Sequence, residues 1–355
     1  MPKGGQAVNC DEDTKRAKLV ELSHQLLSDG LVVRTWGNFS VRGSGDDFLI
    51  TPSGRRYETM TEEELPVCTG PKDWSGPYKP SSEYPMHALT YRLFPQARWV
   101  IHTHQPYASA LSLAKKDLPL DEEAQAALGQ EVLPVAPYGL PSTKKLHRGV
   151  EETLQRTGAQ VILMKAHGAM IWAESADQAR RLANALEKVA KDLYQRELSC
   201  LPPLPARSLT SRREGEGDAL VWVDEQGRPT TPDAATQANH LRIYRQRPDV
   251  GAIITCHHAQ VADFFGGKLP AYLDDFAQII GLKADGTTRG NAVLTNTAAY
   301  CLGADLDAAH SAQIVLEKNA LAARYARVCG AKPLKKAEAL LMREIYRRKY
   351  SKQAS

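Results

Sequence analysis

The sequence predicts an α/β fold made of two tandem layered domains, the second of them shortened. Three observations carry this. Short apolar strand-like runs alternate with amphipathic helical stretches, as in layered α/β domains. One pattern occurs twice along the chain, and 355 residues are more than a single compact core comfortably organises.

The elements of the first half are legible in order. Asp11 to Asp29 is expected to be helical, with Leu19, Leu22 and Leu26 on one face and Gly30 as its C-cap. "LVVRT", "NFSVR" and "DFLIT" follow as short β-rich runs separated by glycine. "PSSEYPMHALTYRLF" opens a helix with Ser81 or Ser82 as N-cap, "RWVIHT" and "QVILMK" are apolar strands, and Ser175 to Leu198 is a long amphipathic helix. Pro202, Pro203 and Pro205 then interrupt the chain before a polar run, so the boundary is expected near Pro205, giving domains 1–204 and 205–355.

The repeat supports two domains. "HALTYRLFPQARWVIHTHQPYA" from His87 lies over "HLRIYRQRPDVGAIITCHHAQV" from His240 without a gap, so that His87, Tyr91, Arg92, Pro95 and His104 fall on His240, Tyr244, Arg245, Pro248 and His257. Further on, "AMIWAESADQARRLANALEKVA" from Ala169 matches "AYCLGADLDAAHSAQIVLEKNA" from Ala299, but the register has shifted by 23 residues. The second copy has therefore lost part of the region equivalent to Leu113–Gln160, and most of the N-terminal region as well.

Composition excludes several classes. A net charge of +4 from 45 basic and 41 acidic residues creates no strong field, so neither a nucleic-acid partner nor a membrane is expected. The N-terminal stretch lacks an apolar signal core and no run of about eighteen apolar residues occurs, which suggests a cytoplasmic location. Six cysteines without CxxC spacing suit scattered thiols, so a metal would be sought among histidines and carboxylates.

Such a set exists. Alternate strand residues share a face, so an extended "VIHTH" presents His102 and His104 together, about 6–7 Å apart along the chain. An HxH pair serves either metal binding or ordinary satisfied packing. Its company favours metal: Glu83 at the "SSE" helix start, and His167 after a strand, where Gly168 would let backbone approach closely.

The order "TWGNFSVR", "LITPSG", "PSSE", "HTH" and "HG" over roughly residues 11–200 resembles the class II aldolase/adducin family, in its L-fuculose-1-phosphate aldolase-like form. The resemblance implies αβα layered domains, of which the second half keeps only the scaffold. It also implies His102, His104 and His167 as ligands of Zn2+, or of Mn, Co or Fe, with Glu83 as fourth ligand or as the acid/base that leaves the metal. Gly37, Asn38, Ser53, Gly54, Ser81 and Ser82 would bind phosphate. Small residues, hydroxyls and a helix start suit an anion, although each of these also serves turns and caps.

The implied activity is a metal-dependent lyase that reversibly cleaves a phosphorylated ketose through a metal-stabilised enediolate. A sugar-phosphate epimerase or decarboxylase on the same metal site, an iron oxygenase, and a non-catalytic adducin-like scaffold are the alternatives. One departure stands out: where the pattern has a catalytic tyrosine supplied to a neighbouring subunit's site, this chain reads "LPLDEEAQAAL". Glu122 and Glu123 fall near that position, and Tyr107 and Tyr138 are further candidates for the acid.

At the ligand positions the second copy reads Thr255 for His102, His257 for His104, Thr236 for Glu83 and Thr297 for His167, with Ala234 and Ala235 for Ser81 and Ser82. One histidine cannot hold zinc, so this copy is read as structural. Family members form fourfold rings, which suggests a homodimer of four domains in pseudo-fourfold arrangement with two metal sites. The tail from Lys332, with eight basic and two acidic residues to Gln353, reads as a solvated helix packed through Leu340, Leu341 and Ile345 rather than a nucleic-acid or membrane arm.

Overall fold

A computed structural model describes residues 10–33, 35–70, 73–198, 208–214 and 219–349. The chain divides into two compact units. One comprises the chain up to Ala108 together with Lys116–Ala190; the other comprises Ser109–Lys115 and Lys191–Lys352. The expected boundary at Pro205, with Pro202 and Pro203, lies outside the described residues.

In the first unit α1 (Cys10–Ser28) buries the stripe of Leu19, Leu22 and Leu26. Its end is closed by the Gly30 N–H bonding Leu27 O and the Leu31 N–H bonding Leu26 O, a Schellman pattern that satisfies the last carbonyls. This closure is why the described residues of "LVVRT" make no strand: Leu31 is drawn in as the buried residue of the cap, and Trp36 N–H turns back to Val33 O. The strands begin with β1 (Asn38–Arg42), β2 (Phe48–Ile50), β3 (Val67–Cys68) and β4 (Trp74–Ser75).

Next come α2 (Tyr84–Leu93), β5 (Trp99–Thr103), α3 (Pro106–Leu111), β6 (Leu118–Pro119), α4 (Glu122–Leu128), β7 (Val132–Leu133) and β8 (Val135–Ala136). The run closes with α5 (Lys144–Thr157), β9 (Val161–Met164), β10 (Gly168–Ala173) and α6 (Ala176–Glu197). The main sheet has the order β4-β3-β2-β1-β5-β10-β9-β8, antiparallel except where β8 meets β9. Its central strand β5 is buried along its whole length, which explains the unbroken apolar run before His102. One core cluster gathers Met86 and Leu89 of α2, Leu146, Val150 and Leu154 of α5, and Val100, Ile162, Met170 and Trp172 of the sheet.

The expected serine cap of α2 does not form. The N-cap residue is Glu83, with no side-chain cap bond, while Ser81 Oγ accepts from the Glu83 N–H at 3.4 Å. Pro85 in the first turn removes one of the amide donors a cap would serve, so the helix starts later than the serines.

The second unit holds β11 (Leu209–Arg213), β12 (Leu220–Val223), α7 (Ala234–Gln246), β13 (Ala252–Cys256), α8 (Ala259–Ala262), β14 (Leu269–Pro270) and α9 (Asp274–Ile279). After these come β15 (Lys283–Ala284), β16 (Ala292–Leu294), β17 (Ala299–Gly303), α10 (Leu306–Cys329) and α11 (Lys336–Lys349). The sheet order is β12-β11-β13-β17-β16, all antiparallel. Sequence reading assigned Leu209–Arg213 to a polar linker, yet it forms β11 between β12 and β13. Two of its polar side chains are satisfied internally: Ser211 Oγ lies 2.6 Å from His240 Nδ1, and Arg213 donates to the carbonyls of Tyr244 and Val250. Among the described residues no helix is long and apolar enough to cross a membrane. On α11, Ala339 and Met342 are buried, whereas Leu340, Leu341 and Ile345 are exposed, so the tail helix packs through a different face from the one expected.

Candidate metal centre

The centre is assembled at the end of β5. Asn38 of β1 stands opposite His102 on one side, and Met170 of β10 stands opposite it on the other. Thr103 turns the other way and donates to Gln105 Oε1, so His102 and His104 share a face as alternation requires. Their ring centroids are 4.6 Å apart. His167 arrives from the turn before β10, its N–H bonded to Met164 O, and its ring stacks on His102 at 4.9 Å.

Two glycines make this convergence possible. A Cβ on Gly168 would lie 2.2 Å from Thr103 O, and one on Gly37, whose φ is +92°, would lie 2.5 Å from His102 O. Any larger residue at either place would push a neighbouring strand away from His102.

The three imidazoles point inward by Nε2. His104 Nε2 is 2.9 Å and His167 Nε2 is 3.1 Å from His102 Nε2. Glu83 brings Oε2 to 3.3 Å from His102 Nε2 and Oε1 to 3.2 Å from His167 Nε2. The Ala169 carbonyl can only accept, so His102 Nδ1, 2.8 Å away, carries the proton. The Nε2 of neutral His102 therefore presents a lone pair to the other nitrogens. Burial drives the His102 pKa well below the ordinary histidine value, which keeps that lone pair available. Burial alone would raise the Glu83 carboxyl, but His167, His102 and His104 hold it well below the usual carboxylate range.

These residues fit a divalent cation. Ligand atoms of His102, His104 and His167 all lie within 4.8 Å of one another. Tetrahedral coordination at about 2.0–2.1 Å from nitrogen places ligands roughly 3.3 Å apart, close to the separations here. The backbone carbonyl bond to His102 Nδ1 is the kind of outer contact that orients a metal-binding imidazole.

The residues expected to hold phosphate sit on neighbouring loops. Ser53 N–H bonds Lys79 O, Ser81 N–H bonds Thr51 O, and Pro52 bridges Pro80, so the Ser53–Gly54 and Ser81–Ser82 segments run side by side. Ser82 Oγ also accepts from Ser142 Oγ at 2.9 Å. Asn38 is turned elsewhere: its Nδ2 donates to Glu83 and its Oδ1 faces His87. Gly37 O accepts from Tyr57. Glu122 and Glu123 are exposed in the first turn of α4, where Glu123 pairs with Lys188 at 3.2 Å; no contact among the described residues joins either to the histidines. Tyr107 and Tyr138 are half-buried.

Sequence reasoning passed over His87, Ser40 and Ser142 as site residues. The signal for His87 was present, since the matching stretch keeps it as His240 while it has Thr255 at the place of His102.

Comparison with known proteins identifies the family of the first half. Residues 17–194 match the model of the Class II Aldolase and Adducin N-terminal domain. Over 191 residues the chain is 31% identical to the L-fuculose phosphate aldolase of Escherichia coli K12, covering 54% of this chain and 87% of that protein. Over 193 residues it is 30% identical to the 5-methylthioribulose-1-phosphate/5-deoxyribulose-1-phosphate aldolase of Rhodospirillum rubrum, covering 54% and 86%. Among solved structures, L-fuculose-1-phosphate aldolase from Thermus thermophilus is 30% identical, with a TM-score of 0.44 over 52% of this chain and 96% of that one. The relatives named here are aldolases, which supports an aldolase-type lyase. The N-terminal half has the α/β class II aldolase fold, and the chain belongs to the class II aldolase and adducin N-terminal domain family.

Proposed function

We propose that the protein is a metal-dependent aldolase that reversibly cleaves a phosphorylated ketose, with His102, His104 and His167 as ligands of Zn2+ or a similar divalent ion. The observation that carries this is the convergence of three Nε2 atoms and the Glu83 carboxylate within hydrogen-bonding distance, buried behind β5 and α2. A bound divalent cation supplies Lewis acidity toward the ketose carbonyl.

The chain's own groups do the rest. Glu83, buried and ionised, carries the proton to and from the substrate carbon beside the carbonyl. The paired loops at Ser53–Gly54 and Ser81–Ser82 receive the phosphate through their serine hydroxyls and the Gly54 N–H, since the Ser53 and Ser81 N–H groups hold the two loops together. Relatives named as sugar-phosphate aldolases support this substrate class. Glu122 and Glu123, exposed at the start of α4, are the groups we assign to protonate the leaving oxygen in a neighbouring subunit. Glu122→Gln and Glu123→Gln are each made: an unchanged kcat in both removes this assignment.

We further propose that the second unit is a degenerate copy that contributes structure, and that the chain works as a homodimer. The order β2-β1-β5-β10-β9 in the first sheet has its counterpart in β12-β11-β13-β17-β16. In register, Leu209 opposite Thr255 stands where Asn38 opposite His102 stands. Thr255, Thr236 and Thr297 in place of His102, Glu83 and His167 supply no comparable ligand set.

The activity is tested by metal analysis of the purified protein and a screen of sugar phosphates for release of dihydroxyacetone phosphate, with and without chelator. Wild type is expected to hold metal and to lose cleavage on chelation, and His102→Ala or His104→Ala to lose metal and at least about 100-fold in rate. Metal-free wild type with chelator-resistant activity would overturn the assignment.

A further inference from the structure

A buried chain of hydrogen bonds runs into the centre from the side away from the histidines, and no role described so far uses it. Tyr91 Oη lies 2.7 Å from Ser40 Oγ, and Ser40 Oγ lies 2.7 Å from His87 Nδ1. His87 Nε2 is 2.5 Å from Asn38 Oδ1, and Asn38 Nδ2 is 3.2 Å from Glu83 Oε2. Every member is buried, Ser40 and His87 completely.

The direction of each bond follows from chemistry. The ionised Glu83 carboxylate only accepts, so Asn38 shows it the NH2 group and turns its carbonyl to His87. That carbonyl also only accepts, so His87 Nε2 carries the hydrogen. In the neutral ring Nδ1 then accepts from Ser40, which in turn accepts from Tyr91. Burial pushes the His87 pKa down to about 3, in keeping with a neutral ring. All donors point toward Glu83. An asparagine amide can otherwise rotate by half a turn at little steric cost, and here that would set its oxygen against the carboxylate.

The second unit shows which part of this chain belongs to the chemistry. There Ser211 Oγ lies 2.6 Å from His240 Nδ1 and 3.0 Å from Tyr244 Oη, repeating the first links. His240 Nε2 ends on Thr255 Oγ1 at 2.8 Å, and Leu209 stands at the place of Asn38. The serine, histidine and tyrosine persist without ligands, whereas the extension through asparagine to a carboxylate accompanies the three histidines.

We propose that His87 is a positioning residue that acts through Asn38: its Nε2–H fixes the amide, and the amide holds one oxygen of Glu83 so that the carboxylate keeps a single orientation in the site. This rests on the reading of Glu83 as the proton carrier. It also gives one hydrogen of the Asn38 amide a partner at Glu83.

The test uses His87→Phe, which removes both ring bonds, and His87→Gln, whose amide can donate to Asn38 and accept from Ser40. In protein labelled with 15N-histidine and 15N-asparagine, wild type is expected to show a neutral Nε2–H imidazole for His87 and slowly exchanging side-chain amide protons for Asn38. His87→Phe is expected to keep its metal, to exchange the Asn38 protons faster, and to lose about tenfold or more in kcat with KM changed less than about twofold. His87→Gln should recover most of both effects. An Nδ1–H tautomer in wild type, a kcat for His87→Phe within about twofold of wild type, or no recovery in His87→Gln overturns the proposal. Should His87→Phe not fold, Asn38→Leu, the residue of the second unit, breaks the same link: the same kcat loss with metal retained supports it, and unchanged kcat overturns it. If wild type cleaves no sugar phosphate, the proposed activity fails, while the tautomer and the amide exchange still decide the hydrogen-bonded chain.

Discussion

Identical residue types carry different duties according to what surrounds them. His102 is held as an Nδ1–H tautomer by the Ala169 carbonyl, and His87 as an Nε2–H tautomer by Asn38; the first leaves a lone pair for a cation, the second a donor for an amide. His240 has neither task but is buried, and its pKa is pushed down to about 3. The folded value lies below the ordinary histidine value, so the unfolded chain binds the proton first as pH falls. Stability from this residue is complete above about pH 6.5 and is lost on acidification toward pH 3. Urea unfolding at pH 7.5 and 4.5 should therefore show wild type losing stability more steeply than His240→Phe, by up to about 1.4 kcal/mol per pH unit. Parallel slopes for the two proteins would contradict it.

At the scale of elements, the repeat motif Leu-Glu-Lys illustrates how packing separates equivalent positions. Lys188 on α6 is exposed and pairs with exposed Glu123, whereas Lys318 on α10 is buried against buried Asp275 of α9. An exposed pair is worth little, while removing one partner of a buried pair strands the other charge. Lys318→Met should cost about 3–5 kcal/mol in unfolding free energy and Lys188→Met no measurable amount, as read from denaturant midpoints. The strands show the same limit on legibility. "RWVIHT" and "QVILMK" were readable because both faces of β5 and β9 are buried and their runs are largely apolar. β11 was hidden in "LTSRR", because the groups that pair with Ser211 and Arg213 lie on α7 and the loop after it, far away in sequence. "LVVRT" failed in the opposite sense: Leu31 and Val32 are buried, but beside the close of a helix rather than in a sheet.

For the whole molecule, the proposed division of labour predicts one metal ion per chain. Light scattering combined with metal analysis is expected to give a dimer carrying two ions; four ions per dimer, or a monomer, would remove the degenerate-copy and dimer proposals respectively. Of the four positions equivalent to the ligands, the second unit has a histidine only at His257, the others being Thr255, Thr236 and Thr297, which is the reason to expect one.

The sequence by itself carried the α/β class of the first half, the likeness to the family that residues 17–194 match, and the expectation that His102, His104, His167 and Glu83 share a site, the HxH pair through strand alternation over a short span and its company through that likeness. It also carried the match between His87–Ala108 and His240–Val261, whose apolar outlines coincide although the residues at the His102 position differ. Only the tertiary structure decided that Glu83 rather than a serine is the N-cap of α2, which ring nitrogen of His102 and of His87 carries the hydrogen, and that Asn38 faces a carboxylate and His87. Those outcomes depend on the register between β1, β5 and β10 and on what α2 lays across them. Hydrogen-bond partners tens of residues apart along the chain are chosen by packing, which no local spacing encodes.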